Sequence, residues 1–315
     1  MSKKTVKPWL SISEQIALLT SRGMSIYDEG RAARYLSSIG YYRLSGYLYC
    51  FRDFSSDNTG NSFYPGTTFE ELINLYIFDK KLRLLAMDAL ERIEVMVRAE
   101  VCNYLGRISP TAHKSSVLFH NRKGHKDWLV RHKVLITDAK RANNAAITHY
   151  IEEYHDIPIW VVAETWNFGT LSKIYDYLHS KHQDRIAANL NIDKSVGKHI
   201  ATHLRAFNYI RNVSSHHARL WNTNIIGRPS LKGMSDECWK QSNINKSFVI
   251  FCLMYKYVKT FNPNSTWGGR FLQLLDEFPI EKNNQYEARR TLELSQMGAT
   301  EEEIKAYFEF LSNSK

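Results

Sequence analysis

Between Phe69 and about Leu105 the apolar residues Phe78, Leu82, Leu85, Ala89, Ile93 and Val97 recur every three or four positions. That spacing matches the turn of an α-helix and puts these side chains on one stripe. A helix of about 30 residues spans roughly 45 Å. Acid–base pairs four apart, Asp79–Arg83, Asp88–Arg92 and Glu94–Arg98, fall on its other faces. Thr67 with Glu70 has capping-box spacing at its start. Such a segment has the pattern of the backbone element of a helical bundle.

Helix signals dominate the rest of the chain. Ser11 with Glu14 has capping-box spacing, and Ile12, Ile16 and Leu19 follow before Gly23 stops the run. Residues 29–54 read as a helix, a break at Gly40 and an aromatic-rich segment, and 55–66 as a loop. A polar connection over 106–126, rich in His, Lys and Ser, leads to a helix predicted over 127–154. Breaks at Pro158 and Gly169 divide 156–178 into two shorter helices, and another helix runs from about Ser195 to Ile210. Further helices are expected near 243–260, ending before Pro263, and over 267–277, with Thr300 and Glu303 capping a last one. No convincing alternating strand pattern and no internal repeat occurs, so the predicted class is all-α. The expected organisation is an N-terminal helical region (1–66), a helical core (67–227) and a C-terminal helical region (228–315).

A chain of 315 residues can bury one large core or two modest ones. At 43% hydrophobic and 23% charged residues it has the composition of an ordinary soluble protein. A net charge of +10 and a pI near 9.3 suggest a polyanionic partner, with nucleic acid first and a merely soluble basic protein as the bland alternative. Cys50, Cys102, Cys238 and Cys252 form no CxxC pair and read as buried free thiols of a reducing compartment. The basic N-terminus lacks an apolar segment behind it, and the longest apolar run, 248–258, is too short to span a bilayer and carries Lys256. The expectation is a cytoplasmic protein with no membrane partner.

Candidate chemistry centres on YIRNVSSHHARLW, residues 209–221. Asn212 and His216, four apart, share a face of a helix. Arg211 and His216, five apart, point some 140° away from each other on a regular helix. They converge only if Arg211 precedes the helix or sits in its first turn, or if two chains pool their residues across a two-fold axis. The chemistry suited to such a set is RNA cleavage. An imidazole takes the proton from a ribose 2′-hydroxyl or gives one to the leaving 5′-oxygen. An arginine stabilises the extra negative charge on phosphorus, and an asparagine orients either group. The nucleophile belongs to the substrate, so no metal or other cofactor is needed.

Arg211, Asn212 and His216 resemble the R-x4-6-H motif of HEPN-fold ribonucleases. Around them YYRLSGY (41–47), FDKKLRLLAMDALERIEVMVRAEV (78–101) and PIWVVAETWNFGTLSKIY (158–175) resemble the Abi family of phage abortive-infection proteins, of the AbiD/AbiF type, and MGATEEEI (297–304) is similar to that family's end. The resemblance covers nearly the whole chain. It implies a HEPN-like helical bundle with N- and C-terminal extensions, Arg211, Asn212 and His216 as catalytic residues, and RNA as substrate. It also implies a role in phage defence and a homodimer that supplies the second motif copy. Some members work with a structured non-coding RNA, so a non-catalytic RNA-binding defence protein is the alternative.

Supporting residues are expected nearby. Glu164 stands in an otherwise apolar stretch, and a buried carboxylate needs a partner, for which Arg211 is a candidate. His217 reads as a structural or substrate-contacting neighbour, and Arg219 as a phosphate contact or a surface charge. Tyr41, Tyr42 and Tyr47, interleaved with Arg43, either stack on unpaired bases or pack in the core. His199 and His203 have metal-ligand spacing, with His216 as a possible third ligand, but the sequence lacks the glutamate of HExxH.

Overall fold

The structure is a computed structural model and describes residues 5–54, 61–192, 197–232, 242–279 and 292–313. The chain begins with α1 (Ile12–Ser21), α2 (Glu29–Ile39), α3 (Tyr41–Leu48) and the 40-residue α4 (Phe69–Ile108). Then follow α5 (Arg122–Arg141), α6 (Ala145–Glu153), α7 (Ile159–Val162), α8 (Phe168–Tyr177), α9 (Ser180–Leu190) and α10 (Gly197–Ser215). The last are α11 (Ser247–Phe261), α12 (Trp267–Leu275) and α13 (Glu301–Asn313). Among the described residues there is no β-strand, only isolated bridges. The fold is all-α, as the periodicity predicts.

Helix α4 buries the expected stripe: Phe78, Leu82, Ala89, Ile93, Val97 and Leu105 are at most 1% exposed. Its cap lies one residue later than predicted. Thr68 Oγ1 accepts from the Glu71 backbone N–H (3.2 Å), and Glu71 Oε2 accepts from the Thr68 N–H (2.7 Å). Thr67 instead turns its hydroxyl to the Tyr64 carbonyl. The boxes at Ser11/Glu14 and Thr300/Glu303 form where expected.

Two compact units divide the chain, residues 1–82 with 273–294 and residues 83–272 with 295–315. In the first, Gly40 adopts φ +89°, which ends α2 and redirects the chain into α3. Tyr47, on α3, is 1% exposed and donates from its hydroxyl to Asp79 Oδ2 (2.6 Å).

The second unit departs from the sequence reading in several places. The 106–126 connection contains the end of α4, two 3-10 turns and the start of α5. The helix predicted over 127–154 is split: Asn143 takes φ +55° and the Asn144 side chain caps α6. Asparagine tolerates the left-handed region, so two of them break a helix with no glycine or proline. Pro158 does interrupt the chain, but the second break is at Asn167, whose Oδ1 accepts from the Thr170 N–H (2.9 Å). Gly169 lies inside α8. Helix α9 was not anticipated.

Helices α9 and α10 meet at Gly197. A Cβ there would stand 2.2 Å from the Gln183 carbonyl carbon, so only glycine allows the approach. The Tyr175 hydroxyl lies 3.1 Å from the carbonyl oxygens of both Gln183 and Gly197 and ties α8 to the junction.

A column of rings runs through this unit. Phe119 stacks on His125 (centroids 3.8 Å apart), Trp128 follows, and Trp128 stacks on His132 (4.8 Å). His113 meets His132 edge-on at 5.1 Å. Trp166 Nε1–H donates to His132 Nδ1, which makes His132 the Nε2–H tautomer. Burial first, then the neighbouring His132 and Lys114, pushes the His113 pKa down to about 3. Burial and Lys114 push His132 down to about 4.

These depressed values set a pH dependence. The unfolded chain protonates its histidines near pH 6.5, whereas the folded chain holds these two neutral. Their contribution is therefore complete above about pH 6.5 and is lost as pH falls towards the folded values, with a slope of up to about 1.4 kcal/mol per pH unit for each. Urea unfolding at a series of pH values should show the midpoint falling between pH 7 and pH 5, and His132→Phe should flatten that fall. An unchanged midpoint over this range would contradict the burial of neutral imidazoles.

Candidate functional site

Helix α10 carries both the core of the second unit and its candidate chemistry. Ile200, Leu204, Phe207 and Ile210 are fully buried on one stripe. Asn208, Arg211 and Asn212 share another face, and all three are half-buried. The helix closes in a Schellman motif: His217 N–H donates to the Ser214 carbonyl (3.1 Å) and Ala218 N–H to the Val213 carbonyl (2.9 Å). His217 occupies the left-handed position, φ +57°, where glycine is usual. His216 is the residue before it, still bonded to the Asn212 carbonyl (3.0 Å), and it is exposed. The Ala218 carbonyl accepts from Arg83 Nη1 (3.3 Å), which anchors the segment beyond the motif.

Arg211 thus lies well inside a helix, neither before it nor in its first turn. It diverges from the His216 of its own chain as regular helical geometry dictates. Arg211 and Asn212 instead line a cleft of about 470 Å³ between α5, α8 and α10. The Arg211 Nη1 to Asn212 Oδ1 separation is 3.5 Å. From α5 come Asp127, Trp128 and Arg131, and from α8 come Thr170, Lys173 and Tyr177. Gly124 also lines the cleft, and a Cβ there would stand 2.8 Å from the Tyr177 ring. His216 and His217 are absent from the lining. None of these cleft residues except Arg211 and Asn212 was singled out from sequence, since their convergence depends on three helices far apart in the chain.

The remaining candidates are dispersed. Tyr42 is 91% exposed and Arg43 is exposed on α3, in the first unit, whereas Arg211 belongs to the second. Tyr47 is a core residue, and Tyr41 accepts from Arg22 Nη1 (3.3 Å). Arg219 is half-buried, and its charge, after burial, helps lower the pKa of Lys246. His203 is fully buried, with Tyr257 Oη at 2.9 Å and the Ser230 carbonyl at 2.6 Å from its two nitrogens. Both nitrogens are thereby taken, so it is a core histidine and not a metal ligand. Cys102 and Cys252 are buried, Cys50 is only half-buried, and Cys238 lies outside the described residues.

Glu164 also departs from expectation. It sits in a 3-10 turn (Ala163–Thr165), its side chain is 69% exposed, and its partner is Arg98 Nη1 at 3.5 Å rather than Arg211. Glu94, visible in the sequence only as one of the i,i+4 pairs, acts on Arg211 through its charge without forming an ion pair with it. Glu94 accepts from Arg98 Nη2 at 2.6 Å. Burial raises its pKa, and the charges of Arg98 and Arg211 oppose that rise. Arg98, 13% exposed, also donates to the Trp166 carbonyl (3.0 Å) and so links α4 to the turn before α8. Glu94→Gln should therefore destabilise the protein by about 1–3 kcal/mol, because Arg98 loses its close counter-charge in a poorly solvated place. Glu164→Gln should cost less than about 1 kcal/mol, as exposed pairs do. Urea denaturation of both variants at pH 7 checks the order, and equal losses would show that Glu94 has no special place.

Neither a curated protein nor a solved structure matches the chain. A protein-family model does, over residues 34–222, more than half of the sequence, and that span takes in α4, the three helices of the cleft and the whole of the Arg211–His216 segment. No described helix is long and apolar enough to cross a membrane. With this match the chain belongs to the family of Abi-like proteins, and its function at that coarse level is abortive-infection defence against phage.

Proposed function

We propose that the protein is a metal-independent endoribonuclease of the HEPN class that carries out phage defence by cutting RNA. The observation that carries this reading is the placement of Arg211 and Asn212 in a cationic cleft with His216 exposed at the same helix end. In the proposed reaction a His216 imidazole removes the 2′-hydroxyl proton and the 2′-oxygen attacks the adjacent phosphorus. The 5′-oxygen leaves and takes its proton from water, giving a 2′,3′-cyclic phosphate and a 5′-hydroxyl, and the His216 imidazolium returns its proton to solvent. Arg211 meets the charge that builds on the phosphoryl oxygens, and Asn212 orients the phosphate.

One chain's Arg211 and His216 diverge, so the complete set draws on two copies: Arg211 and its cleft from one, His216 from the other. The net charge of +10 suits a polyanionic substrate.

His216→Ala should lower cleavage by about 10²–10⁴-fold while RNA binding stays nearly unchanged, because a general acid–base acts on the transition state. Arg211→Ala should lower cleavage by at least about 10²-fold and weaken binding as well. Cleavage should persist in EDTA, with 2′,3′-cyclic phosphate ends found by mass spectrometry of the products. A fully active His216→Ala protein, or RNA bound but never cut by the wild type, would replace this reading with one of sequestration.

The shared site makes a second prediction. Mixing Arg211→Ala with His216→Ala protein should restore part of the activity, because a mixed dimer contains one intact composite site. Light scattering should give a dimer mass at micromolar concentration. An active monomer, or no complementation between two soluble variants that form mixed dimers, would exclude the two-chain site.

A further inference from the structure

The cleft holds more charge than phosphate contact by Arg211 alone requires. Arg131, Lys173 and Arg211 line it together with one carboxylate, Asp127, and none of the four forms an ion pair within 4.0 Å among the described residues. Asp127 and Arg131 are four apart on α5, the spacing at which an acid and a base usually pair on a helix, and they do not pair. Charges kept apart in this way remain available to a ligand.

Their order along the cleft follows from the helix contacts. Trp128 Nε1–H donates to the Thr170 carbonyl (2.9 Å), while Gly124 faces the Tyr177 ring, so α5 and α8 run antiparallel. Gly169 faces Asn208, and Asp176 pairs with Arg205 (2.8 Å), so α8 and α10 are antiparallel too. Arg131 and Arg211 therefore stand at the end of the cleft near Asn167. Asp127 lies one turn away along α5, roughly 6 Å. Lys173 is near that level on α8, and Tyr177 closes the far end. Burial, then Asp176 and Asp127, raise the Tyr177 pKa, as expected for a phenol close to that carboxylate.

We propose that this cleft is a base-reading subsite for one guanosine of single-stranded RNA. Its phosphate is held by Arg131 and Arg211, its base edge by Asp127, and its base lies beside the Tyr177 ring. This rests on the ribonuclease reading in taking RNA as the source of the nucleotide, and it shares Arg211 with that reading. A phosphate at the two-arginine end satisfies the unpaired cations. The Asp127 carboxylate accepts only, so it selects a base by its donors. Guanine presents two adjacent donors, N1–H and the N2 amino group, which match the two carboxylate oxygens. Adenine and cytosine offer one amino group beside an acceptor, and uracil one imide N–H flanked by two carbonyls that meet the carboxylate with like partial charge. The expected order is guanine first and uracil last.

Calorimetric titration of the full-length protein with the four 5′-monophosphates tests the assignment without relying on cleavage. GMP should bind roughly tenfold or more tightly than UMP, the discrimination of one good bidentate contact. Asp127→Asn should reduce the difference to within about twofold, and Lys173→Ala should weaken all four nucleotides together. A 2′-O-methylated hexaribonucleotide containing one G should bind more tightly than GMP, and more tightly than its G-free counterpart. Equal affinity for all four nucleotides, no binding at millimolar concentration, or an unchanged preference in Asp127→Asn would overturn the base-reading assignment and leave the ribonuclease proposal untouched. GMP binding more tightly than the G-containing oligonucleotide would overturn the RNA source. Selective GMP binding by a protein that cuts no RNA would keep the pocket and remove the enzyme.

Discussion

The packing of α10 against α8 and α9 is the constraint on which the rest of the second unit depends. One stripe of this helix, Ile200, Leu204, Phe207 and Ile210, is withdrawn from water, and burying each such side chain is worth about 1.5–3 kcal/mol. That burial fixes the helix's rotation. With the rotation set, Asn208, Arg211 and Asn212 have no choice but to face the cleft, three and four residues apart along one side. Gly197 lets α9 and α10 approach at backbone distance, and the Tyr175 hydroxyl joins both to α8. The orientation of the candidate site is thus a by-product of core packing.

Where α10 stops matters as much as how it turns. A Schellman motif with His217 in the left-handed region ends the helix and leaves His216 exposed just beyond its last residue, Ser215. Histidine tolerates that conformation better than a β-branched residue would. Two adjacent histidines beside fixed positive charge have a division of labour in this geometry: one shapes the backbone and the other presents its ring to solvent.

Charge is handled differently on the two sides of Arg211. Behind it, Glu94 and Arg98 form a close pair that ties α4 to the turn before α8. In front of it, Arg131 and Lys173 have no acidic partner within salt-bridge distance among the described residues. The first arrangement stabilises the fold, and the second leaves a positive potential where an anion can enter. Trp128 connects the cleft to the core, since its ring stacks between His125 and His132 while its edge lines the cleft. Protonation of that column would act directly on the cleft floor.

Much of this was legible without coordinates because it is local. The apolar period of α4, two of three capping boxes, the break at Gly40 and the Arg211–Asn212–His216 spacing all depend on residues within a few positions of one another. The family resemblance rests on ordered blocks of the same kind, and the matched span contains three of them. What failed locally had a near-degenerate alternative. Thr67 and Thr68 offered two caps one residue apart, and burial of Thr67 decided between them. Asn143 and Asn144 broke a helix that lacked glycine and proline.

Contacts between distant segments were set by tertiary structure alone. Glu164 looked buried from its apolar neighbours, but a 3-10 turn aims it outward, and Glu94, 117 positions before Arg211, is a carboxylate whose charge acts on that arginine. His113, His125 and His132 belong by sequence to a polar stretch and a basic helix, but ring contacts with Phe119, Trp128 and Trp166 made them core. Asp127, Arg131 and Lys173 were ordinary surface charges in the sequence and came to line one cleft when α5, α8 and α10 met. The sequence determined the all-α class and most of the helix periods, and it set Arg211, Asn212 and His216 on one short segment, because propensity, capping and period act over one or two turns. Only the tertiary structure decided which charges face one another, because that depends on the rotation of each helix, and burial of its apolar stripe sets that rotation.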